Sequence, residues 1–469
     1  MPGFASGALG IATNHNFVSY YEAHEPDIQN ELVQRYMNSM IGFLDFVNAK
    51  KSTDALEFSR FEKDRIMPKI KATTAGGAAS GAVSFTLHAD VKVDVPSAAP
   101  YDTSATVDQK ATTVRVGDLI MIKPASGSAS FGTYVEALVL SVTSNTSFTA
   151  QSLTSTAIPA IGTADEIIIY GNAHGEASGF NTPMSTKATK YTEKLQIIKD
   201  RTRVTGSEGL TKKWFNDKSS GQSKFMVQGE GDGYARFTNT MDMNLLVGKE
   251  LANTALATVY QTAETPLALT NGLLTQINSN GNVLNYAASA GLTIDDIYEY
   301  NIEIDANKAQ KNNMLMTGIV LDQDIDQTLG DRLKSGAISY GNFKMDQEKA
   351  VNLSFQKATL GSYTYDKRCM ESFNDLQTLG ASGYGFKYEA FTLPAGTQKV
   401  AGGPEAGSKV ASLRKRFLAD KNKSREMMVD YYNARTDSQE GYDWEEVRYQ
   451  AHVALEAQAL NQFGYIKRA

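Results

Sequence analysis

Few groupings in this chain have residue types and spacings that could do chemistry. Gly402-Gly403-Pro404-Glu405-Ala406-Gly407-Ser408-Lys409 comes near a phosphate-binding P-loop, in which a Lys directly follows the last Gly and a Ser or Thr then takes magnesium. Here the Ser and Lys are exchanged and Pro404 removes a backbone donor, so the segment reads as a plain surface loop. Gly229, Gly231 and Gly233 have the wrong spacing for a dinucleotide fingerprint and predict a turn ahead of a helix. Asp322, Asp324 and Asp326 imitate the opening ligands of a calcium loop. The later positions that need Gly and a bidentate Glu hold Gln327 and Leu333, which leaves an acidic helix start.

The remaining nucleophiles and ligands are sparse. Cys369 is the single cysteine, which excludes a disulfide within the chain and any multi-thiolate metal site. His15, His24, His88, His174 and His452 are scattered, and neither His-Glu-x-x-His nor Gly-x-Ser-x-Gly occurs. The sequence therefore predicts no catalytic residues, no metal and no cofactor, and the chain reads as a non-enzyme. The strongest basic run is Lys409, Arg414, Lys415, Arg416, Lys421, Lys423 and Arg425. It reads as a solvated helix face, with contact to an acidic partner or to nucleic acid as the alternative. Phe417 is the lone aromatic between these charges, unlike a single-strand stacking platform.

Those residues need elements to hold them. The chain has 469 residues, 42% of them apolar and 21% charged, with a net charge of −6. That is ordinary globular composition, long enough for about three structural units and without bulk attraction for nucleic acid or anionic lipid. No apolar run approaches the roughly 20 residues of a membrane span. The opening residues lack the basic lead of a secretory signal, so the expectation is a reducing cytoplasm in which the sequons at Asn145, Asn352 and Asn422 stay unused.

Ile28, Leu32, Tyr36, Met40, Leu44 and Val47 recur at helical spacing behind Pro26, with Glu22, Glu25, Asp27 and Glu31 nearby. This helix is either an ordinary core helix or an arm for a neighbouring subunit. Residues 57–71 are dense in charge. From Gly76 to about Pro183 the chain turns to Ala, Ser, Thr and Gly, with alternating strand patterns at 83–95, 113–122, 134–142, 147–153 and 166–170. A small all-β sandwich or barrel follows. At Lys187 the charged character returns, so two basic segments flank the β-module like the rails of one ribbon. A long helix is predicted through Tyr234, Phe237, Met241, Leu245, Leu256 and Val259, closing near Pro266. Residues 267–400 mix helical stretches (292–309, 324–334) with strand-like ones (313–320, 351–355, 384–391), an α+β reading. A last helix is predicted from Tyr449 to Gly464. No internal repeat is visible.

An arm, a charged ribbon, a long helix, an α+β middle and a C-terminal return occur in an order that resembles the Hong Kong 97-type major capsid protein of tailed bacteriophages. The residues that carry the likeness are Leu195-Gln-Ile-Ile-Lys-Asp-Arg-Thr-Arg-Val-Thr-Gly206, similar to the family's stretch ending in Val-Ser/Thr-Gly, and the helix that follows from Tyr234. The closing His452-Val-Ala-Leu-Glu-Ala-Gln-Ala-Leu-Asn-Gln-Phe-Gly464 looks like a terminal segment of crAss-like phage capsid proteins. The resemblance implies an α+β capsid fold: an N-arm (1–55), an E-loop (56–75 and 186–206) with a small all-β domain inserted at its tip (76–185), a peripheral domain with a spine helix (207–262 and 425–469), and an axial domain with its return segment (263–424). It implies self-assembly into the hexamers and pentamers of an icosahedral head around double-stranded DNA, in a virion assembled in the host bacterial cytoplasm. Portal, scaffolding and decoration proteins would be the other partners, and DNA contact would be non-specific. No scaffolding segment precedes the arm, so scaffolding would be a separate protein, and no Lys and Asn pair for crosslinking can be carried over.

On that reading the ribbon cations Lys63, Arg65, Lys194, Lys199, Arg201 and Arg203 are subunit-interface residues, because long extended strands bury little apolar surface within their own subunit. Their acidic counterparts would be the Glu22, Glu25, Asp27, Glu31 arm or the Asp322, Asp324, Asp326 run. Two other readings stand beside it: an encapsulin-like nanocompartment shell, and an enzyme carrying a carbohydrate-binding β-module, which would need a carboxylate pair or metal site not found here.

Overall fold

The computed structural model describes residues 47, 49–63, 70–77, 81–87, 114–123, 134–144, 147–162, 166–180, 188–207, 225–251, 256, 267–289, 291–334, 357–376, 378–381, 385–399, 408–420, 423–433 and 444–469. In chain order, β1 (Lys50–Thr53) and β2 (Glu57–Lys63) are followed by β3 (Ile70–Thr73), β4 (Val83–Leu87), β5 (Asp118–Lys123), β6 (Val135–Ser144), β7 (Ser147–Ser152) and β8 (Glu166–Asn172). Next come β9 (Ala188–Lys194), β10 (Gln196–Thr205), α1 (Phe225–Val247), α2 (Leu273–Asn280), β11 (Asn282–Tyr286), α3 (Ile294–Ala306), β12 (Asn312–Thr317) and α4 (Ile319–Lys334). The chain ends with β13 (Lys357–Leu360), β14 (Tyr363–Cys369), α5 (Glu371–Asn374), β15 (Ala390–Pro394), β16 (Thr397–Lys399), β17 (Lys409–Ala411), β18 (Leu413–Asp420), β19 (Lys423–Ser424), β20 (Met428–Asn433), β21 (Trp444–Ala457) and β22 (Gly464–Arg468). It is an α+β chain in two compact units, one of residues 57–193 and 399–410, the other of 1–56, 194–398 and 411–469.

In the first of these units β3-β4-β7-β6-β5-β8 close into a barrel. Alternate residues point inward and fill it: Phe85 and Phe148 stack at 4.8 Å, beside Ile120, Ile122, Val139 and Ile167. Closure leaves no open sheet edge in the barrel. β2 and β9 form a separate two-stranded ribbon. One face of β2 buries Phe58 and Arg60, whose guanidinium lies 3.1 Å from Glu62 and over the Tyr191 ring, while Phe61 on the other face is 68% exposed.

The other unit holds two six-stranded sheets. In the first, β1-β18-β21-β10 run in order, with β19 on β18 and β20 on β21. The 14-residue β21 organises it: β10 lies antiparallel along one side, and β20 and β18 share the other. Val447, Tyr449, Ala451, Val453 and Leu455 face the core formed with Phe237, Met241 and Leu245 of α1 and Leu273 and Ile277 of α2. The second sheet, β11-β22-β15-β12-β14-β13, buries Tyr286, Leu315, Tyr365 and Ile466 with Ile297, Tyr300 and Ile304 of α3 and Leu321 and Ile325 of α4. Thr293 and Asp296 close a capping box at the start of α3. No helix among the described residues is long and apolar enough to cross a membrane.

Several expectations change. The tail predicted as a helix from Tyr449 is β21 as far as Ala457, then a short 3-10 turn at Leu460–Gln462 and β22. Its Ala-, Leu- and Glu-rich run favours helix locally, but it is a central strand paired on both sides, and polar and apolar residues stop alternating from Val453 on, where it is buried on both faces. The glycines at 229, 231 and 233 are no turn. They lie inside α1, where Gly229 and Gly233 let the helix approach β10: a Cβ at Gly229 would come within 3.2 Å of Thr202 and one at Gly233 would collide with Thr202 outright, while Gly231 faces open space. α1 ends at Val247, short of Val259. The basic run is not a solvated helix: Arg414, Lys415 and Arg416 are buried on β18. Residues 196–205 lie in the first sheet, paired with β21 and not with a ribbon rail. The predicted helix over 28–47 apart from Val47, the acidic arm, Arg65, the 351–355 strand and the Gly402–Gly407 loop lie outside the described residues.

Candidate functional site

Because side chains alternate along a strand, the even-numbered residues of β21 occupy the face opposite α1. Trp444, Glu446, Arg448, Gln450, His452 and Glu456 stand there. Register places Arg203 opposite Glu446, Arg201 opposite Arg448 and Lys199 opposite Gln450 on β10, Arg414 opposite Glu456 on β18, and Asp430 opposite Arg448 on β20. One face of the first sheet is therefore polar across its width, and it is rich in guanidinium.

Glu446 lies at its centre with a fully buried side chain. Arg203 donates from Nε at 3.0 Å to its carboxylate, Arg448 donates to the other oxygen, and Arg201 stands 4.0 Å away. Burial alone would raise this carboxyl, but the hydrogen bonds from Arg448 and Arg203 outweigh it and hold the group below the usual range. The same guanidiniums sit on aromatic supports: Arg203 is 3.9 Å from the Trp444 ring centroid and Arg448 is 4.6 Å from that of Tyr432, with the two rings 5.2 Å apart. The carboxylate is covered while Arg201, Arg203 and Arg448 remain 64%, 41% and 48% exposed, so the surface presented here is cationic.

Further along the same face, buried Glu456 accepts from Arg414 at 2.8 Å and from Arg416 at 2.5 Å. Desolvation opposes its ionisation, yet the two guanidiniums lower its pKa. On the opposite face Glu426 takes both Lys415 and Lys50 at 2.7 Å, and the same balance lowers its pKa. His452, on the same face of β21 as Glu456, is also buried. Its Nε2 is 2.6 Å from the Gln450 amide nitrogen and 3.2 Å from Arg425, so the neutral ring accepts there, and burial together with Arg425 and Lys199 lowers its pKa.

The residues singled out from sequence divide. Lys199, Arg201 and Arg203 are brought together on the polar face. Lys63 is exposed at the end of β2, and Lys194 makes an open pair with Glu250 at 3.8 Å. Asp322 and Asp326 are engaged within the chain by the buried Lys367 amine at 3.2 and 2.5 Å, so an ammonium bridges the carboxylates that imitate a calcium loop. Asp324 is half-buried on the same helix. Among the described residues no group of three His, Cys, Asp or Glu could hold a metal ion. Sequence reasoning missed Glu446, Arg448, Trp444 and Tyr432. Their signal was the alternation of Trp444, Glu446, Arg448, Gln450 and His452 with Val447, Tyr449, Ala451 and Val453, a period-two pattern that runs into the segment read as helical.

No family model matches the sequence, and no curated protein matches it. Among solved structures, the chain is similar to one from Microbacterium phage Oxtober96 at 12% identity, with 97% of this chain and 100% of that one covered and a TM-score of 0.41. It is similar to the capsid of a native GTA particle at 9% identity, 98% and 100% coverage and a TM-score of 0.39. The holo-SrpI encapsulin complex from Synechococcus elongatus PCC 7942 follows at 7% identity, 60% and 77% coverage and a TM-score of 0.32. Likeness at this distance leaves the function to be argued from the chain's own residues.

Proposed function

We propose that this chain is a major capsid protein of the Hong Kong 97 type, which self-assembles into the hexamers and pentamers of an icosahedral phage head around double-stranded DNA. The observation that carries the reading is the ribbon. β2 and β9 flank the β-barrel strands in sequence and expose Phe61 and Lys63 on a face that nothing in the described part of the chain covers. A two-stranded ribbon cannot bury such a residue by itself, whereas in a shell each subunit offers surface to several neighbours and small contacts repeat on every copy. The element order supports it: ribbon, barrel, returning strand β10, long helix α1, an α+β sheet, and a C-terminal strand that comes back beside β10.

In this reading 56–75 and 186–206 are the E-loop, whose two-stranded part is β2 with β9 and whose return continues as β10 into the first sheet; 76–185 is its inserted β-domain, 207–262 with 425–469 the peripheral domain and 263–424 the axial domain. Lys63, Arg65 and Lys194 are the ribbon's interface cations, and portal, scaffolding and decoration proteins complete the head. Kinship with the crAss-like group rests on the closing residues alone. Negative-stain microscopy and sedimentation of the purified chain test the proposal. Rings or closed shells are expected, and particles that copurify with nucleic acid instead of a protein cargo separate a phage head from a nanocompartment. A strictly monomeric protein at concentrations on the order of tens of micromolar, from low to high salt, sinks it.

A further inference from the structure

The barrel carries an open groove that the shell reading leaves unused. It lies between the loop 173–180, which follows β8, and β6, and has a volume of about 430 Å³. Leu138 and Leu140 alternate with the buried Ala137 and Val139, so they point outward into it, and Val116 lines it ahead of β5. The loop supplies His174, Ser178 and a fully exposed Phe180. Its shape is fixed by the chain itself. Ala173 donates from its backbone to Gly117 at 2.9 Å, and Gly117 donates to Val139 at 2.9 Å. The backbone nitrogen and the hydroxyl of Ser178 both donate to the Gly175 carbonyl, at 3.2 and 2.7 Å, around a left-handed Ala177. A Cβ at Gly175 or Gly179 would meet nothing within 4 Å, so the loop backbone stays accessible there.

We propose that this groove binds a neutral saccharide. An ion is a poor fit, because no Lys, Arg, Asp or Glu lines the groove, and the adjacent Arg115 and Asp118 engage each other: the Arg115 backbone nitrogen donates to the Asp118 carboxylate at 2.8 Å and its guanidinium stands 3.5 Å away. A hydrocarbon chain calls for an enclosed apolar pocket, whereas His174, Ser178 and Phe180 are all exposed. A peptide added as a strand has no edge to join, since β6 and β8 are each paired on both sides in the closed barrel. A sugar ring has one flat apolar face and a rim of hydroxyls. Phe180 and Leu140 offer the apolar contact, His174 a ring nitrogen that donates and one that accepts, and the Ser178 oxygen the lone pairs that its bond to Gly175 leaves over. The inference goes beyond the shell reading and does not depend on it. Were the copies repeated in a shell, weak single sites would add by avidity.

The test is saturation-transfer NMR of the full-length protein with maltotriose, chitotriose and mannotriose, and with trigalacturonate as the charged comparison. Transfer to at least one neutral sugar is expected, with weaker binding of trigalacturonate. Phe180→Ala should raise the Kd about tenfold, the effect of withdrawing one ring face of apolar contact. His174→Ala should weaken binding too. Tyr134→Ala removes another exposed aromatic on β6, six residues or about 20 Å from Leu140, and should bind as wild type does. All three positions are exposed, so the variants should fold. Absence of transfer to every neutral sugar at about 10 mM overturns the proposal. So does trigalacturonate binding as tight as that of the neutral sugars, or a Y134A protein as impaired as F180A. Unchanged binding in F180A overturns it as well, and if that variant also fails to assemble, the occupant is a second copy. Assembly is scored separately by microscopy: a wild-type chain that stays monomeric yet binds sugar through Phe180 sinks the shell reading and leaves this site standing.

Discussion

Arg203 and Glu446 face one another across β10 and β21, the guanidinium 3.0 Å from a fully buried carboxylate and 3.9 Å above the Trp444 ring. One residue is thus both the neutraliser of a buried charge and part of a cationic surface. Glu446→Gln keeps the shape but turns an amide nitrogen toward guanidiniums that need an acceptor. We expect it to cost about 1–3 kcal/mol in urea unfolding. An E446Q protein as stable as wild type would show that the cluster does not hold the sheet.

Protonation links the same sheet to pH. Glu446, Glu456 and Glu426 have folded pKa values below their unfolded ones. Their contribution is complete above the unfolded carboxylate range and is lost as pH falls through the folded values. Asp118 and Glu389, which burial raises, act in the opposite direction and soften the loss. The net expectation is a fall in stability below about pH 4.5, followed by thermal melts.

His452 sets a second, milder window. Its folded pKa is lowered, so between its unfolded value near 6.5 and the folded one the unfolded chain binds the extra proton and stability declines as pH falls. His452→Gln removes the titrating group. The difference in melting temperature between about pH 7.5 and about pH 5.5, on either side of the ordinary histidine value, should shrink in H452Q. An unchanged difference would place the titration elsewhere.

The packing of α1 on β10 gives a contact that can be isolated. Gly233→Ala puts a methyl into Thr202 and within 3.2 Å of the Tyr449 ring, for a loss of about 1–3 kcal/mol. Thr202→Ala removes the atom that it strikes, so G233A/T202A should be more stable than the sum of the single changes predicts. Strict additivity in the double-mutant cycle would mean that the helix does not approach the strand at this point.

How much of this was legible depends on distance along the chain. The barrel strands could be read from Val83 and Phe85 or Phe148 and Ala150, because inward and outward residues alternate along each strand whatever the distance to its partner. β21 was misread because its helix-favouring composition is overruled by strands far away in sequence, β10 above all. Arg414 and Arg416 looked solvated for the same reason: their carboxylate, Glu456, is 40 residues or more downstream. Lys367 reaches Asp326 over 41 residues. Local periodicity shows which face is buried, while the partner that neutralises a charge there is set by topology.

The two units should melt apart. Phe148→Ala opens a cavity against Phe85 in the barrel core and should cost that unit about 3–5 kcal/mol. Replacing residues 80–183 with a short Gly/Ser turn should leave the other unit folded, since loop closure depends only weakly on length. Calorimetry of F148A should show one transition lowered and another unmoved. Collapse of both, or proteolytic loss of 194–398 in the deletion, would make the barrel integral to the whole.

Phe61 carries the sharpest prediction about assembly. It is 68% exposed on β2, while its neighbours Phe58 and Arg60 are buried on the other face, so the folded subunit gains little from its ring. Phe61→Asp should therefore change subunit stability by no more than about 0.5 kcal/mol, the ordinary range for a surface substitution. In a shell the same ring would be covered by a neighbour, and a carboxylate there would have to be desolvated without a partner. F61D should accumulate as soluble subunits or incomplete rings under conditions where the wild type forms closed particles. Raising salt should not rescue it, because the defect is lost apolar contact and a buried charge, not unscreened repulsion between surfaces. Closed particles formed by F61D at wild-type concentration would remove the ribbon from the assembly interface and, with it, the main support for a shell subunit.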